Sequence, residues 1–370
     1  MPGVAALAVN RDGVIYDRAF GRRALGGAAP MTPDTVFWIA SMTKAVTATA
    51  VMQLVEQGRL DLDADCGRLV AALANPRVLT GFDAAGKPTL RPARGAITLR
   101  HLLTYTAGFA YEMWNAEMLA YSAHTRLSRN ATFRRPEDVF PLAFDPGTGW
   151  AYGIGIDWAG KVLEAVTGQS LADYFDEHIF APLAMTSSGY ALRPGIAERL
   201  ANQHQRHPEG RLEVVEYSPS QKPDTFLGGG GLYSTTGDYG RFMRMILNGG
   251  ALDGRRVLAP ETVAAMSRSH TGSIAVEGLR TAQPLISNDA DFFPGMAKAW
   301  GLSFLINTTD VAGRRSAGSL CWAGLRNTYY WIDPKRQIAG TVMTQILPFA
   351  DAPVLRLFEG FETEIYRATA

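Results

Sequence analysis

Cysteine is nearly absent from this sequence, with Cys66 and Cys321 the two in 370 residues. Two thiols so far apart exclude a disulfide framework and a cysteine-built zinc site, and they read as free and mostly buried. Net charge is also absent. The 36 Lys and Arg stand against 35 Asp and Glu, leaving +1, so nothing points to nucleic acid or an anionic membrane surface as a partner. No apolar run reaches the length of a membrane helix. The opening MPGVAALAVNRDG has no basic segment ahead of its apolar run. It lacks a signal-peptide layout, and a cytoplasmic setting is the expectation. HExxH is missing, and so is Gly-x-Ser-x-Gly, which excludes the nucleophile elbow of α/β-hydrolases. The stretch from Gly155 through Gly160 and Lys161 nearly spells a phosphate-binding loop, but Val162 stands where a hydroxyl residue would hold magnesium. It reads instead as small residues on a packed helix. His204 and His207 sit in a polar stretch and read as solvated. The run Gly228 to Gly231 reads as a tight turn or a close backbone approach.

What is present is a large apolar fraction, 47%, with 19% charged residues and 38 glycines. That composition excludes wholesale disorder and fits a loop-rich enzyme of two domains, or of one domain with an insertion. Val4 to Val9 and Val14 to Phe20 flank Asp12-Gly13, a strong hairpin signal. Ser41 to Gln57 reads as a helix from the spacing of Ala45, Ala48, Met52 and Val55, stopped by Gly58. Pro76 to Gly95 reads as surface loop. Ile97–Tyr105, Asp157–Thr167, Ser170–Ile179 and Gly237–Leu247 read as helices. Strand character returns over Gly301–Asn307, Ser319–Trp331 and Ile338–Gln345, before a closing helix over Leu355–Arg367. Strands at both ends with helices between suggest an α+β fold. Residues 1–40 and 295–370 would form one antiparallel-sheet domain, residues 41–294 a mostly helical insertion, and the cleft between them the natural site.

The reactive constellation is Ser41-Met42-Thr43-Lys44. Residues three apart share a helix face, so the Lys44 amine lies within reach of the Ser41 hydroxyl. The helix N-terminus favours a developing alkoxide. The same field and apolar neighbours are expected to lower the lysine pKa and free an amine to act as base. Taken alone, the spacing reads more readily as a helix cap and a solvated lysine.

The surrounding residues add a resemblance. Phe37 to Lys44, with Met52, Gln53, Glu56, Gly58, Leu60 and Leu62, resembles the first motif of the serine β-lactamase and penicillin-binding-protein superfamily. His101-Leu-Leu-Thr-Tyr105-Thr-Ala-Gly108 resembles a segment of its class C branch. Phe144-Asp-Pro-Gly147 with Trp150-Ala-Tyr152, then Pro182 to Met185, then Gly231 to Thr235, match further segments in order. The resemblance implies a β-lactamase-like fold with Ser41 as nucleophile and Lys44 with Tyr152 as base. The backbone N–H groups of Ser41 and Leu325 would form the oxyanion hole, with no metal or cofactor. Two departures select the branch. Tyr152-Gly153-Ile154 keeps the tyrosine of the YxN motif but replaces its asparagine. Cys321-Trp322-Ala323-Gly324 carries tryptophan where lactamases carry lysine. Both resemble family VIII carboxylesterases, which implies neutral short- to medium-chain esters as substrates.

Trp322, Gly324, Tyr105 and Ile154 are then the expected substrate-binding positions. Tyr111, Trp114 and Tyr329 are further aromatics near the pocket, and Arg326 is either an anion contact or a surface residue. The expected partner is a small-molecule ester, without nucleic acid or membrane, and homo-oligomerisation stays open. The rival functions are a β-lactamase or D-amino-acid peptidase, an acyltransferase, and a ligand-binding pseudoenzyme, the last opposed by the intact Ser41, Lys44 and Tyr152. Superfamily members usually carry a helix before the first strand, whereas this chain begins at the strand.

Overall fold

The computed structural model of the chain describes residues 1–127, 133, 139–216 and 220–369. The expected hairpin forms as β1 (Gly3–Asn10) and β2 (Val14–Gly21), followed by a short β3 (Phe37–Trp38) and helix α1 (Thr43–Glu56). Next come β4 (Arg77–Phe82), β5 (Pro88–Pro92), α2 (Leu99–Thr104), α3 (Ala116–Thr125), α4 (Gly155–Thr167) and α5 (Leu171–Phe175). Strands β6 (Gln203–Arg206), β7 (Leu212–Val215) and β8 (Tyr233–Ser234) precede α6 (Thr236–Leu247). A small β9–β10 hairpin (Ala251–Leu252, Arg255–Arg256) and α7 (Pro260–Met266) follow. The chain closes with β11 (Lys298–Trp300), β12 (Leu305–Asn307), β13 (Leu320–Gly324), β14 (Thr328–Asp333), β15 (Ile338–Met343), β16 (Ile346–Leu347) and α8 (Ala352–Ala368).

The two ends of the chain do share one sheet. Its order is β11-β12-β13-β14-β15-β1-β2, and each neighbouring pair is antiparallel. Strands β13, β14 and β15 are buried at every position. Helices therefore cover both faces, which explains runs of apolar residues in place of strict alternation. On one face α8 lays Phe358 against Tyr329 and Trp331, and Phe361 against Tyr16. On the other, α6 sets Tyr239 against Tyr330. There Gly240 approaches Leu7 so closely that a Cβ would meet its Cδ2 at 2.2 Å.

Four readings change, the last at His204. Pro76–Gly95 is largely a two-stranded hairpin, because β4 and β5 pair with each other. The Ser170–Ile179 helix stops as α at Phe175 and widens into a π turn over Asp176–Phe180. The boundary of the helical insertion is also less clean than its composition suggests. Within residues 41–294, α6 lies on the sheet, β6 pairs in parallel with β16, and β8 pairs with β3. His204 is buried within β6, where its ring accepts a hydrogen bond from the Leu25 amide at 3.0 Å. His207 pairs with Glu213. Both cysteines are free and buried, and burial pushes the Cys66 thiol up to about 12 and Cys321 to about 11. No helix among the described residues is long and apolar enough to cross a membrane.

Candidate active site

Ser41 lies in a single 3₁₀ turn, Ala40–Met42, that leads directly into α1. Ala40 is held at φ 44°, a left-handed conformation that costs energy for a residue with a Cβ and tends to persist where surrounding structure enforces it. The enforcing contacts are identifiable. The Ile39 amide donates to the Leu232 carbonyl at 3.0 Å, and Tyr239 Oη donates to the Met42 carbonyl at 3.1 Å. Gly324 at the end of β13 comes so close that a Cβ there would lie 2.2 Å from the Ile39 carbonyl oxygen. Glycine at 324 thus brings the end of β13 against the turn that carries Ser41. Gly324 was expected to touch substrate, but its function in the fold is this close approach.

Lys44, one turn on, is 1% exposed. Its Nζ lies 3.3 Å from Ser41 Oγ, 2.9 Å from Tyr111 Oη and 2.7 Å from the Gly229 carbonyl oxygen. Gly229 is fixed in turn, since its N–H donates to Asp157 Oδ1 at 2.8 Å from the first turn of α4. The neighbouring Gly228 carbonyl accepts from Thr47 Oγ1 at 2.6 Å. A Cβ at Gly229 would fall 2.5 Å from Asp157 Oδ2 and 2.9 Å from Lys44 Nζ. The glycine run is therefore a close backbone approach, and it reaches the reactive lysine.

Tyr152 precedes α4 and is 4% exposed. Lys44 Nζ stands 5.0 Å from the centre of its ring. The N–H of Trp322 donates to Tyr152 Oη at 2.9 Å. The tryptophan that replaces the lactamase lysine thus directs its single donor at Tyr152. Gly153 allows this placement, because a Cβ there would lie 2.2 Å from the Phe109 carbonyl oxygen. Ser41, Tyr152 and Trp322 meet around a recess of about 10 Å³ completed by Trp114, Leu279, Ala323, Leu325 and Phe349. On its other side, Ser41 opens onto a cleft of about 450 Å³. Tyr111, Trp114, Tyr190, Lys222, Asp224 and Leu325 are among its walls.

The other expected positions fall elsewhere. Tyr105 is 1% exposed and stacks behind Tyr152 and Trp300, at 5.0 Å from each. Burial raises its hydroxyl pKa well above the usual value. It supports Tyr152 and does not line the cleft. Ile154 is buried at the N-terminus of α4 and lines neither cavity. Tyr329 is in the core, its hydroxyl donating to Asn327 Oδ1 at 2.6 Å. Arg326 is buried as well, its guanidinium 5.0 Å above the Trp38 ring. It helps hold the turn that carries Leu325, along with Asn327, whose amide donates to the Ile346 and Pro348 carbonyls at 2.8 Å each. The gaps in sequence hid Asp157 and Gly229, which reach Lys44 only through tertiary pairing. Among the described residues no group of three or more His, Cys, Asp or Glu is placed to hold a metal ion.

A serine at the head of a buried helix, a lysine one turn below it and a tyrosine beside the same recess are side chains of the kinds from which serine acyl-transfer sites are built. The beta-lactamase family model matches residues 1–360. This chain belongs to the beta-lactamase family. Within that family it is 33% identical to monacolin J acid methylbutanoyltransferase of Aspergillus terreus, across 99% of this chain and 92% of that one. It is also 33% identical to lovastatin esterase of Penicillium rubens, across 95% and 91%. The fold superimposes on a mutant of simvastatin synthase (LovD) from Aspergillus terreus with a TM-score of 0.85, at 32% identity, covering 100% of this chain and 93% of that one. These relatives are enzymes, acyltransferases and an esterase, of the serine β-lactamase-fold hydrolase and acyltransferase superfamily to which this beta-lactamase-family chain belongs.

Proposed function

We propose that this chain is a serine carboxylesterase of the family VIII type, hydrolysing short- to medium-chain esters through an acyl-enzyme on Ser41. The observation that carries the reading is the contact of Lys44 Nζ with Ser41 Oγ at 3.3 Å beside a Tyr152 hydroxyl held by Trp322 at 2.9 Å. Ser41 Oγ attacks the ester carbonyl while its proton passes to the Lys44–Tyr152 pair. The pair returns the proton to the leaving alcohol. Water then attacks the acyl-enzyme with the same pair as base, releasing the acid and restoring Ser41. The backbone N–H groups of Ser41 and Leu325 hold the oxyanion, each such donor contributing about 2.7–4 kcal/mol. With an indole in place of a cation at position 322, the site favours neutral esters over β-lactam carboxylates.

A second reading, transfer of the acyl group to an alcohol, is favoured by the unequal spaces around Ser41. The recess of about 10 Å³ has no more room than a single water needs, so the cleft of about 450 Å³ is the space that accommodates a large alcohol. Relatives named as a methylbutanoyltransferase and an esterase fit either outcome of one acyl-enzyme.

The test is hydrolysis of p-nitrophenyl esters from acetate to palmitate, with nitrocefin alongside and products analysed with and without added alcohols. The esterase reading expects turnover that peaks at short chains, poor nitrocefin cleavage and free acid as the main product. Nitrocefin cleavage as efficient as butyrate ester cleavage overturns it. Ester as the main product when an alcohol is added selects the transferase.

A further inference from the structure

Lys44 must do more than approach Ser41: its lone pair must point there. A neutral amine has two N–H donors and one acceptor position. The Gly229 carbonyl, 2.7 Å from Nζ, can only accept, so one N–H is committed to it. Among the groups around the other N–H and the lone pair, Ser41 Oγ stands at 3.3 Å and Tyr111 Oη at 2.9 Å. When Tyr111 accepts the second N–H, the lone pair is left for Ser41. We propose that Tyr111 is a positioning residue whose hydroxyl oxygen accepts from Lys44 and so turns the amine's lone pair toward Ser41. This rests on Ser41 being the nucleophile with Lys44 in its base.

Tyr111 is built into place. It is 5% exposed, its N–H donates to the Tyr152 carbonyl at 3.1 Å, and its ring lies 5.3 Å from that of Tyr152 and 5.9 Å from Trp114. A backbone hydrogen bond and a ring contact therefore join Tyr111 directly to Tyr152. The residue two beyond Tyr152, asparagine in the lactamase motif, is Ile154 here and offers no polar side-chain atom. Tyr111 brings a side-chain hydroxyl to the lysine from a different segment.

The test is the rate at which a fluorophosphonate labels Ser41, measured from pH 5 to 10 in wild type and in Tyr111→Phe, with p-nitrophenyl acetate kinetics in parallel. Labelling reports activation of Ser41 whatever the natural ester. The plateau rate and kcat should fall about tenfold to a hundredfold, as a misplaced group does, with KM changed less. The acid limb of the profile should also move to lower pH, because the charged ammonium loses a hydrogen-bond acceptor. Tyr152, Asp157, Gly229 and Ser41, which also face the amine, are unaltered in this variant. A purely structural role would lower the plateau without moving the limb. A profile that superimposes on wild type, or a change in KM alone, overturns the proposal. If wild type is not labelled at Ser41, the nucleophile assignment itself falls, and this inference with it. Thermal melting confirms that the variant is folded, and Tyr111→Leu, which also lacks the hydroxyl, should show the same limb displacement.

Discussion

Lys44 and Arg315 are both basic side chains buried to within 2% of full enclosure, and the fold treats them differently. Arg315 lies between the sheet and α8, its Nε and one terminal nitrogen each 2.7 Å from a Glu362 oxygen. Phe293, Trp331 and Phe358 surround its guanidinium at 5.5–5.8 Å. Burial alone would lower its pKa, but the charge and hydrogen bonds of Glu362 reverse that and raise it. Lys44 instead contacts two hydroxyls and a carbonyl. A guanidinium does not lose its proton in proteins, whereas a buried amine does so readily. One site fixes a charge in the scaffold; the other sets an amine beside two hydroxyls and a carbonyl, with no carboxylate among these three contacts to hold a charge.

Exchanging the two chemistries should have the largest effect. Lys44→Arg keeps a charge one turn below Ser41 but removes the base. General-base assistance is worth about 10²–10⁴-fold, so pre-steady-state acylation by p-nitrophenyl acetate should fall by that much, as in Lys44→Ala. Adding Tyr152→Phe should cost little more, because groups that act as one unit do not lose independently. Retention of more than a tenth of the wild-type rate in Lys44→Arg would remove the lysine from the proton path.

The converse change at the scaffold should leave the chemistry alone. Glu362→Ala strands a buried guanidinium, and breaking such a pair costs about 3–5 kcal/mol. Urea unfolding should show that loss, while kcat per folded molecule stays near wild type. A loss below about 1 kcal/mol would mean that Arg315 finds water or another partner.

Trp322 lies between these extremes, as both wall and hydrogen-bond donor. Trp322→Phe keeps an aromatic ring beside Tyr152 but deletes the N–H that reaches its hydroxyl at 2.9 Å. Leaving a buried polar atom short of its partner costs about 1–3 kcal/mol. The expected result is a fall in kcat of roughly tenfold, with a smaller change in KM. If only KM changes, the indole serves substrate packing alone.

Much of the site was legible because its signals are local. Ser41 and Lys44 are one helical turn apart, Tyr152 sits in a recognisable run, and Asp12-Gly13 marks the first hairpin. What escaped depends on contacts between distant segments. Asp157 and Gly229 meet across 72 positions, where the Asp157 carboxylate accepts from the Gly229 N–H. Tyr111 was expected near the pocket, but its contact with Lys44 spans 67 positions and has no signature in spacing. Tyr105 and Ile154 were placed at the substrate by motif position, yet motif position does not say which side of a backbone faces the cleft. The segment from Pro76 to Gly95 looked like loop because its strands form a separate two-stranded sheet, where Pro, Gly and Arg are tolerated.

A second ion pair, outside the core, completes the comparison with the smallest effect. Asp145, in the run before Tyr152, receives both terminal nitrogens of Arg91 at 2.7 and 2.9 Å and the Arg94 amide at 2.8 Å. These contacts, the Arg91 hydrogen bonds foremost, hold its carboxyl down from 3.8 to about 2. A carboxyl whose pKa is lower folded than unfolded stabilises the fold at pH values above its unfolded pKa. That contribution is lost as pH falls from about 4 toward 2. Asp145→Asn should therefore be slightly less stable than wild type at pH 7 and should converge with it near pH 2. Urea midpoints measured at intervals from pH 7 to pH 2 test this directly. Salt should narrow the gap at neutral pH, as it does for exposed pairs, whereas the loss in Glu362→Ala should hardly respond. A gap that widens on acidification would mean that Asp145 acts through backbone geometry near Tyr152 and not through its charge.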